Sequence, residues 1–325
     1  MAHRNTPRPA GHSRPHKSSA HPPAPGGRQQ PGPGPGPGPA PAPGPGPGPG
    51  PGPGPGPGPA GARQAVPAAA GHSRREHARA RRVYGQNFLA DPAVARRLAG
   101  IAVADPEMLV YEAGAGRGSL TRELLGRCRR VVAYEIDPDL AGALPVDRRL
   151  TVRTDDFLAA KPPVESFAVA GNIPYGLTSP VINWCLRSPG LRRATLLTQW
   201  EYARKRAGDY GRWSRLTVLT WPEFSWSLAG RVPARAFRPV PRVDGGILVI
   251  KRRRVPLVGP DRRRSYQRLV ELGFTGTGGS LFATLSREHG RQRVSAAFRA
   301  CRLNPDMPVG EVWPEQWLTL FRLLT

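Results

Sequence analysis

Short apolar runs alternate with amphipathic stretches through the middle of the chain, and this alternation predicts a layered α/β fold. Seven runs have the length of buried strands: Met108–Tyr111, Arg130–Tyr134, Leu150–Arg153, Phe167–Ala170, Ala194–Thr198, Phe224–Leu228 and Gly246–Ile250. Stretches with helical spacing lie between several of them, such as Ser119–Arg127 and Glu201–Arg206. This alternation indicates a mostly parallel, doubly wound sheet, and the last two strands are expected to form an antiparallel pair.

The two ends of the chain have different patterns. After residue 255, four amphipathic segments predict a small all-helical domain: Arg262–Leu272, Gly279–Glu288, Arg291–Cys301 and Glu315–Leu324. Pro31–Pro59 is a nearly strict Pro-Gly alternation, and Gly at every second position rather than every third excludes a collagen triple helix. We therefore expect a disordered Pro/Gly-rich basic tail over residues 1–80, an α/β domain over 81–255 and a helical domain over 256–325.

The charge balance indicates a polyanionic partner. The 325 residues contain 48 Lys and Arg against 23 Asp and Glu, which gives a net charge of +25. Most of the basic residues are Arg, which favours bidentate contacts with phosphate. Arg252–Arg254 and Arg262–Arg264 flank the predicted domain junction, where they either contact an RNA backbone or form a solvated surface.

Cysteine and histidine usage excludes several kinds of site. The three Cys, at positions 128, 185 and 301, are far apart and odd in number, so neither a disulfide framework nor a zinc site is expected. Six of the seven His lie in the first 80 residues, so no metal site is predicted in the folded part. The chain lacks an apolar run of about 18 residues, and we expect a cytoplasmic monomer without a membrane span.

One loop combines side chains that suit an exocyclic amine. Gly171-Asn172-Ile173-Pro174-Tyr175 follows a predicted strand, and open α/β sheets bind ligands at the carboxyl ends of their strands. The Asn172 side chain and the Ile173 main-chain carbonyl can each accept an N–H, and the Tyr175 ring can stack on a purine. An ordinary proline turn would have the same composition. The residues at the neighbouring strand ends are needed to decide between a ligand-binding loop and a structural turn.

A glycine-rich turn follows the first predicted strand of the sheet. Glu112-Ala113-Gly114-Ala115-Gly116-Arg117-Gly118 stands between a strand and a helix, where bare backbone lets a ligand approach the amino terminus of the helix. The dinucleotide fingerprint G-x-G-x-x-G would require Gly at position 119, which is Ser. An acid before the first Gly would repel a pyrophosphate but suits the cationic amino-acid end of S-adenosylmethionine.

Acidic residues follow the next two predicted strands. Glu135 lies about 20 residues beyond the glycine-rich turn, where an acid at a strand end reaches ribose hydroxyls. Asp155 and Asp156 follow the third strand, and either carboxylate could accept the amino group of a cofactor adenine or cap a helix.

Phe237 is a second aromatic candidate for the site. It begins the segment Phe237-Arg238-Pro239-Val240-Pro241-Arg242-Val243-Asp244, whose Pro residues forbid a central strand and predict a rigid loop. The Phe237 ring is either a wall for the base or a hydrophobic plug beneath this loop.

These motifs occur in the order and at the spacing of the rRNA adenine N6-methyltransferases, and the sequence most closely resembles the Erm type, the erythromycin-resistance methyltransferases. The resemblance covers residues 84–325 and excludes the Pro-Gly tail. It depends on the glycine-rich turn and on five further motifs: Gln86-Asn87-Phe88-Leu89, Tyr134-Glu135-Ile136-Asp137, Asp156-Phe157, Asn172-Ile173-Pro174-Tyr175 and Phe237–Asp244.

The resemblance implies a Rossmann-like S-adenosylmethionine-dependent methyltransferase sheet with a small all-helical carboxyl-terminal RNA-binding domain. It implies one adenine of 23S rRNA as the target, modified before full ribosome assembly, and resistance to macrolide, lincosamide and streptogramin B antibiotics as the result. By motif match, cofactor contacts are expected at Asn87, Leu89, Gly114, Gly116, Glu135, Asp156 and Asn172. Asp156 is preferred to Asp155 because it directly precedes an aromatic residue.

Catalytic roles are expected for four residues around the target adenine, which must leave its stack to expose N6. Tyr175 and Phe237 hold the base, while the Asn172 side chain and the Ile173 carbonyl accept its amino hydrogens. Those bonds draw the nitrogen lone pair out of conjugation, so that proximity and orientation permit a direct in-line transfer.

Three alternatives share parts of this pattern. A small-subunit rRNA dimethyladenosine transferase has the same fold and chemistry, and a non-catalytic RNA-binding or ribosome-assembly factor could keep the fold alone. An N6-adenine DNA methyltransferase more often has a double Pro after its Asp, Asn or Ser, and Ile173 departs from that. Whether one or two methyl groups are added depends on the room around N6.

Overall fold

The structure is a computed structural model that describes residues 86–209 and 211–325. The predicted tail over residues 1–80 and the start of the predicted α/β domain lie outside the described residues. All the motifs that carry the resemblance lie within them.

The strands confirm the predicted mostly parallel sheet. Nine strands occur in the described ranges: β1 Phe88–Leu89, β2 Leu109–Ala113, β3 Arg130–Tyr134, β4 Leu150–Arg153, β5 Phe167–Asn172, β6 Leu191–Gln199, β7 Phe224–Val232, β8 Phe237–Arg238 and β9 Gly245–Arg252. Seven form one sheet in the order β4-β3-β2-β5-β6-β9-β7. The first five are parallel neighbours, whereas β9 runs antiparallel to β6 and β7. β1 and β8 form a separate antiparallel pair.

The helices fill the connections and the carboxyl-terminal region. The described ranges contain ten: α1 Pro92–Ala102, α2 Ser119–Leu125, α3 Pro138–Gly142, α4 Thr178–Arg187, α5 Trp200–Ala207, α6 Arg215–Thr220, α7 Arg263–Gly273, α8 Leu281–His289, α9 Arg291–Ala300 and α10 Pro314–Leu324. Asp91 caps α1 by accepting hydrogen bonds from main-chain amides, as expected for an Asp-Pro start. α4 and α6 were not predicted. α6 is only six residues long, and the Ser214 side chain caps it.

Two apolar cores lie on opposite faces of the sheet. Buried residues of β5 alternate between them, with Val169 in one core and Ala168 in the other. Leu98 of α1 joins the core of Ala168, whereas Ile182 of α4 joins that of Val169. Because both faces are covered, the central strands are continuous apolar runs. Polar side chains are therefore found mainly where these strands end.

The carboxyl-terminal helices share one of these cores. Trp317 of α10 is buried in the same cluster as Val169, and the Tyr266 hydroxyl of α7 donates to the Val218 carbonyl of α6 at 2.9 Å. The main sheet ends at Arg252 and α7 begins at Arg263, so the change from strand to helix matches the expected pattern. The division into domains at residue 256 stays a prediction.

Two arginines of the run after β9 have internal partners. Arg252 donates to the Leu191 and Ser188 carbonyls at 3.0 and 3.1 Å, and Arg253 donates to the Trp221 carbonyl at 3.0 Å. Burial lowers the pKa of both guanidinium groups. These bonds tie Arg252 and Arg253 to neighbouring segments, and whether either residue also contacts RNA stays a prediction.

Candidate active site

The loops after β2, β3 and β5 meet at one edge of the sheet. Parallel pairing places Ala113 beside Tyr134 and Glu112 beside Ala170, so the segments that follow these strands are neighbours. Two adjoining pockets open there, with about 660 and 710 Å³ of empty space.

The predicted site residues come together in these pockets. The first pocket is lined by Asn87, Leu89, Gly114, Gly116, Glu135, Asn172, Ile173, Tyr175 and Phe237. Asp155 and Asp156 line the second pocket, which shares Gly114, Glu135 and Ile173 with the first. The sequence pattern thus located one continuous cleft, while the chemical role of each residue stays a prediction.

The glycine-rich turn needs its glycines for two reasons. Gly114, Gly116 and Gly118 have φ values of 73°, 56° and 74°, in the left-handed region that other residues rarely adopt. A Cβ added to Gly116 would lie 3.1 Å from the Phe88 ring. The turn therefore presents bare backbone to the first pocket, as a cofactor cradle requires.

Glu135 is held rigidly beside this turn. The Gly116 amide donates to Glu135 Oε2 at 2.7 Å, and the Asp137 amide donates to Glu135 Oε1 at 3.0 Å. The side chain is only 2% exposed but lines both pockets. Each carboxylate oxygen can accept a further hydrogen bond, which is compatible with the predicted ribose contact.

Glu112 lies deeper in the first pocket and has an unsatisfied oxygen. Its Oε2 accepts from the Thr121 hydroxyl at 2.7 Å, whereas its Oε1 has no hydrogen-bond partner among the described residues. The side chain is 1% exposed, and burial raises its pKa to about 7, with a further contribution from the charge of Glu135. A buried carboxylate oxygen without a partner fits the ammonium group of S-adenosylmethionine.

Asn172 ends β5 with its amide group oriented by the preceding chain segment. The Nδ2 atom donates to the Asn87 carbonyl at 2.7 Å, which assigns Oδ1 as the atom that can accept from a ligand. The Ile173 amide donates to the Leu197 carbonyl at 2.9 Å, and its side chain is buried. The main chain that follows Asn172 is therefore fixed against β6.

Tyr175 begins a short 3₁₀ helix over Tyr175–Leu177 and is partly buried. Its hydroxyl is buried without a hydrogen-bond partner among the described residues. Burial raises the pKa of Tyr175, and the Asp244 carboxylate raises it further. The raised pKa keeps the hydroxyl protonated, and the residue lines the first pocket.

Phe237 differs from its predicted local structure. Instead of standing on a loop, it belongs to β8 and pairs with Leu89 of β1, because these short strands need no central position in the main sheet. The side chain is 1% exposed and lines the first pocket. A Cβ added to Gly245 would lie 3.1 Å from the Phe237 ring. Both the wall and the plug interpretations stay compatible with this position.

The structure leaves the choice between Asp155 and Asp156 open. The Asp156 side chain caps the 3₁₀ helix Phe157–Ala159 by accepting from the Leu158 amide at 2.9 Å. This is the structural role that a strand-end Asp often has. Asp155 is exposed and lines the same pocket. The assignment of the adenine contact to Asp156 stays a prediction.

Several residues of the pocket were not among the predicted contacts. Gln86 lines both pockets. Arg117, which belongs to the glycine-rich turn, has its guanidinium 5.0 Å from the centre of the Phe88 ring. The motif Gln86-Asn87-Phe88-Leu89 indicated this segment, but only the fold shows that all four of its residues border the site. The sequence did not indicate a role for Thr121, because its hydrogen bond to Glu112 depends on how α2 orients its side chain.

A family model described as "Ribosomal RNA adenine dimethylase" matches residues 77–325. The chain belongs to this family. Its members transfer a methyl group from S-adenosylmethionine to adenine N6 of ribosomal RNA, and the predicted enzyme class and cofactor are thereby confirmed.

Individual relatives agree with this family. An "rRNA adenine N-6-methyltransferase" of Streptomyces fradiae is 54% identical over 76% of this chain and 79% of its own length. The crystal structure of the 23S rRNA methyltransferase ErmE is 48% identical, covers 73% of this chain and 99% of its own, and superposes with a TM-score of 0.71. A "Ribosomal RNA small subunit methyltransferase A" of Synechococcus is 34% identical over 75% of this chain and 92% of its own length.

These comparisons confirm the Rossmann-like methyltransferase fold and the resemblance to Erm-type enzymes. Ribosomal RNA is the substrate. Across residues 86–209 and 211–325, no helix has the length and apolar character needed to cross a membrane.

Proposed function

We propose that this methyltransferase modifies N6 of one adenine in 23S rRNA and thereby confers resistance to macrolide, lincosamide and streptogramin B antibiotics. In this proposal the enzyme is a cytoplasmic monomer that acts before the ribosome is fully assembled. The similarity to ErmE at 48% identity supports the 23S target, because it exceeds the 34% identity with the small-subunit enzyme. The small-subunit target stays the second candidate.

The orientation of the Asn172 amide is the observation that carries the chemistry. Because Nδ2 donates to the Asn87 carbonyl, Oδ1 is an acceptor in a pocket that also contains Tyr175 and Phe237. An adenine amino group that enters this pocket can donate one hydrogen to Asn172 Oδ1 and the other to the Ile173 carbonyl. Both bonds orient the nitrogen lone pair away from the ring, and the nitrogen becomes a better nucleophile.

The Tyr175 ring holds the adenine plane, with Phe237 packed on the floor of the same pocket. Stacking on an aromatic ring contributes about 1–3 kcal/mol per base, which offsets part of the cost of unstacking the adenine from its RNA. Because the Tyr175 hydroxyl is buried and has no described partner, we expect the ring to provide this contact.

The remaining residues of the cleft would hold the cofactor. Glu112 would pair with its ammonium group, Glu135 with the ribose, and Asp156 with the adenine, while Gly114, Gly116, Asn87 and Leu89 provide close backbone and apolar contacts. Bound S-adenosylmethionine supplies an electrophilic methyl group on its sulfonium. The protein's contribution is then to orient the amine and exclude water, which suits a site without a histidine among its lining residues.

We further propose that residues 256–325 form an RNA-binding helical domain. Arg264, Arg268, Arg287 and Arg299 are exposed on α7, α8 and α9, where they can contact phosphates. Arg268 and Arg287 each make one hydrogen bond within the chain, whereas Arg262 donates to Thr325 and also has its guanidinium 4.6 Å from the centre of the Phe321 ring, which makes it a weaker candidate.

Expression of the chain in a macrolide-sensitive host tests the proposed function. We expect resistance to all three drug classes, and primer extension should locate the modified adenine in large-subunit rRNA. The variant Asn172→Ala should lose about 100-fold or more in methyl transfer, the loss typical of a positioned transition-state group. Asn183→Ala, at an exposed position on α4, is the matched control.

Two results would contradict this proposal. Modification of small-subunit rRNA alone would replace the 23S target by the second candidate. Full activity of Asn172→Ala would show that the Asn172 side chain is not needed for methyl transfer, whichever RNA is modified.

A further inference from the structure

A loop at the edge of the active site exposes two valines. The segment 239–244 connects β8 to β9, and within it the side chains of Val240 and Val243 are 58% and 45% exposed. Their exposure leaves two apolar side chains available to contact a partner at this edge of the site. Phe237, at the start of β8, lines the pocket proposed for the target adenine.

The structure holds this loop in place from both ends. Pro239 and Pro241 flank Val240 and fix their own φ angles. At the far end, Asp244 Oδ1 accepts from the Ala234 amide at 2.7 Å, and Oδ2 accepts from Arg231 Nε at 2.6 Å. The Asp244 carbonyl also accepts from the Trp200 amide at 2.9 Å. A loop tied in this way cannot fold back to bury its valines.

Three arginines are close to the two valines in sequence. Arg235 and Arg238 precede the loop, Arg242 lies within it, and all three side chains are exposed. Arg252 pairs with Glu223, whereas the hydrogen bonds of Arg238 are local ones to the Arg235 and Phe237 carbonyls. Apolar side chains next to arginines suit binding to a nucleic acid strand with stacked bases. The guanidinium groups can contact the phosphates while the valines contact the bases.

We propose that Val240 inserts into the base stack of the substrate RNA and fills the gap left when the target adenine enters the pocket. This inference deepens the proposed function and depends on it. Proteins that kink or unstack nucleic acids often place an apolar side chain between bases, where it replaces lost stacking contacts. Val240 is exposed, stands between two prolines and lies three residues after Phe237, which lines the pocket. Val243, three residues further along the chain, would support the same face.

An RNA fragment that carries 2-aminopurine in place of the target adenine tests this inference. Its fluorescence rises when the base leaves the stack, so it reports flipping without any methyl transfer. For Val240→Ala we expect the equilibrium constant for flipping, read from the fluorescence rise, to fall by about 15-fold, as follows from the loss of two buried methyl groups at about 0.8 kcal/mol each, with RNA affinity changed much less. Val164→Ala is the control, because Val164 is fully exposed before β5, at the opposite edge of the sheet, and should behave like the unchanged protein.

Methylation assays with two RNAs separate insertion from a general defect. On the structured fragment, Val240→Ala should lower kcat more than it raises KM. On a variant RNA whose target adenine is already unpaired and unstacked, its kcat should return to that of the unchanged protein.

Equal fluorescence for Val240→Ala and Val164→Ala would overturn the inference, and so would an equal loss of kcat on both RNAs. If the unchanged protein methylates neither RNA, the proposed 23S target fails instead. The two failures are therefore distinguishable.

Discussion

Replacing Glu112 by Gln tests the electrostatics of the buried cleft without any ligand. The carboxylate has one hydrogen bond, from Thr121, and one oxygen without a described partner, and it lies close to Glu135. Burial therefore favours the protonated form and raises its pKa from 4.5 to about 7. Gln has nearly the same shape and can still accept from Thr121, but it does not ionise.

The expected effect follows from proton linkage. Because the folded state binds the Glu112 proton more tightly than the unfolded state, the contribution of Glu112 to the free energy of unfolding falls as pH rises from 4.5 to about 7. Above about pH 7 this contribution is constant. The difference between these pKa values corresponds to roughly 3 kcal/mol. The Gln variant lacks this loss, so its stability relative to the unchanged protein should rise by roughly 3 kcal/mol across the same window.

Denaturant unfolding of both proteins between pH 4.5 and 8, without cofactor, measures this difference. Other titrating groups are common to both proteins and cancel, and the new amide donor of Gln adds a constant offset that leaves the slope unchanged. If the two stability curves run parallel over the whole range, Glu112 ionises as an exposed carboxyl would, and its assignment as a buried cation partner fails.

Three further predictions follow from contacts in the structure. Tyr175→Phe should keep most activity, because the hydroxyl has no described partner, while Tyr175→Ala should lose about 5- to 150-fold in kcat/KM, as expected from about 1–3 kcal/mol of stacking. Equal losses for the two variants would contradict stacking. Arg252→Ala should lower the free energy of unfolding in urea by about 3 kcal/mol, with little change in the salt dependence of RNA binding. Arg238→Ala should leave stability unchanged and reduce the slope of log affinity against log salt by about one. The reverse pattern would show that Arg252 contacts the RNA. Gly116→Ala should lower stability by about 1–2 kcal/mol and weaken cofactor binding measured by calorimetry, because the φ of Gly116 is positive and the new Cβ would contact Phe88. Unchanged binding would show that the glycine-rich turn does not contact the cofactor.

The sequence by itself determined the order of the strands along the chain and the edge of the sheet that carries the site. Apolar runs of strand length are local signals, and they placed Arg130–Tyr134 and Leu150–Arg153 with the bounds found in the structure. The motifs after β2, β3 and β5 had to meet, because parallel strands end at a common edge.

The tertiary structure alone decided which charged side chains have internal partners. Arg252 and Arg254 are equivalent in sequence, yet the first reaches two carbonyls across the sheet and the second is exposed. Glu112 likewise becomes a buried carboxyl with a raised pKa only because α2 and β3 close around it. Such properties depend on contacts between residues far apart in the chain, and a local pattern contains no record of them.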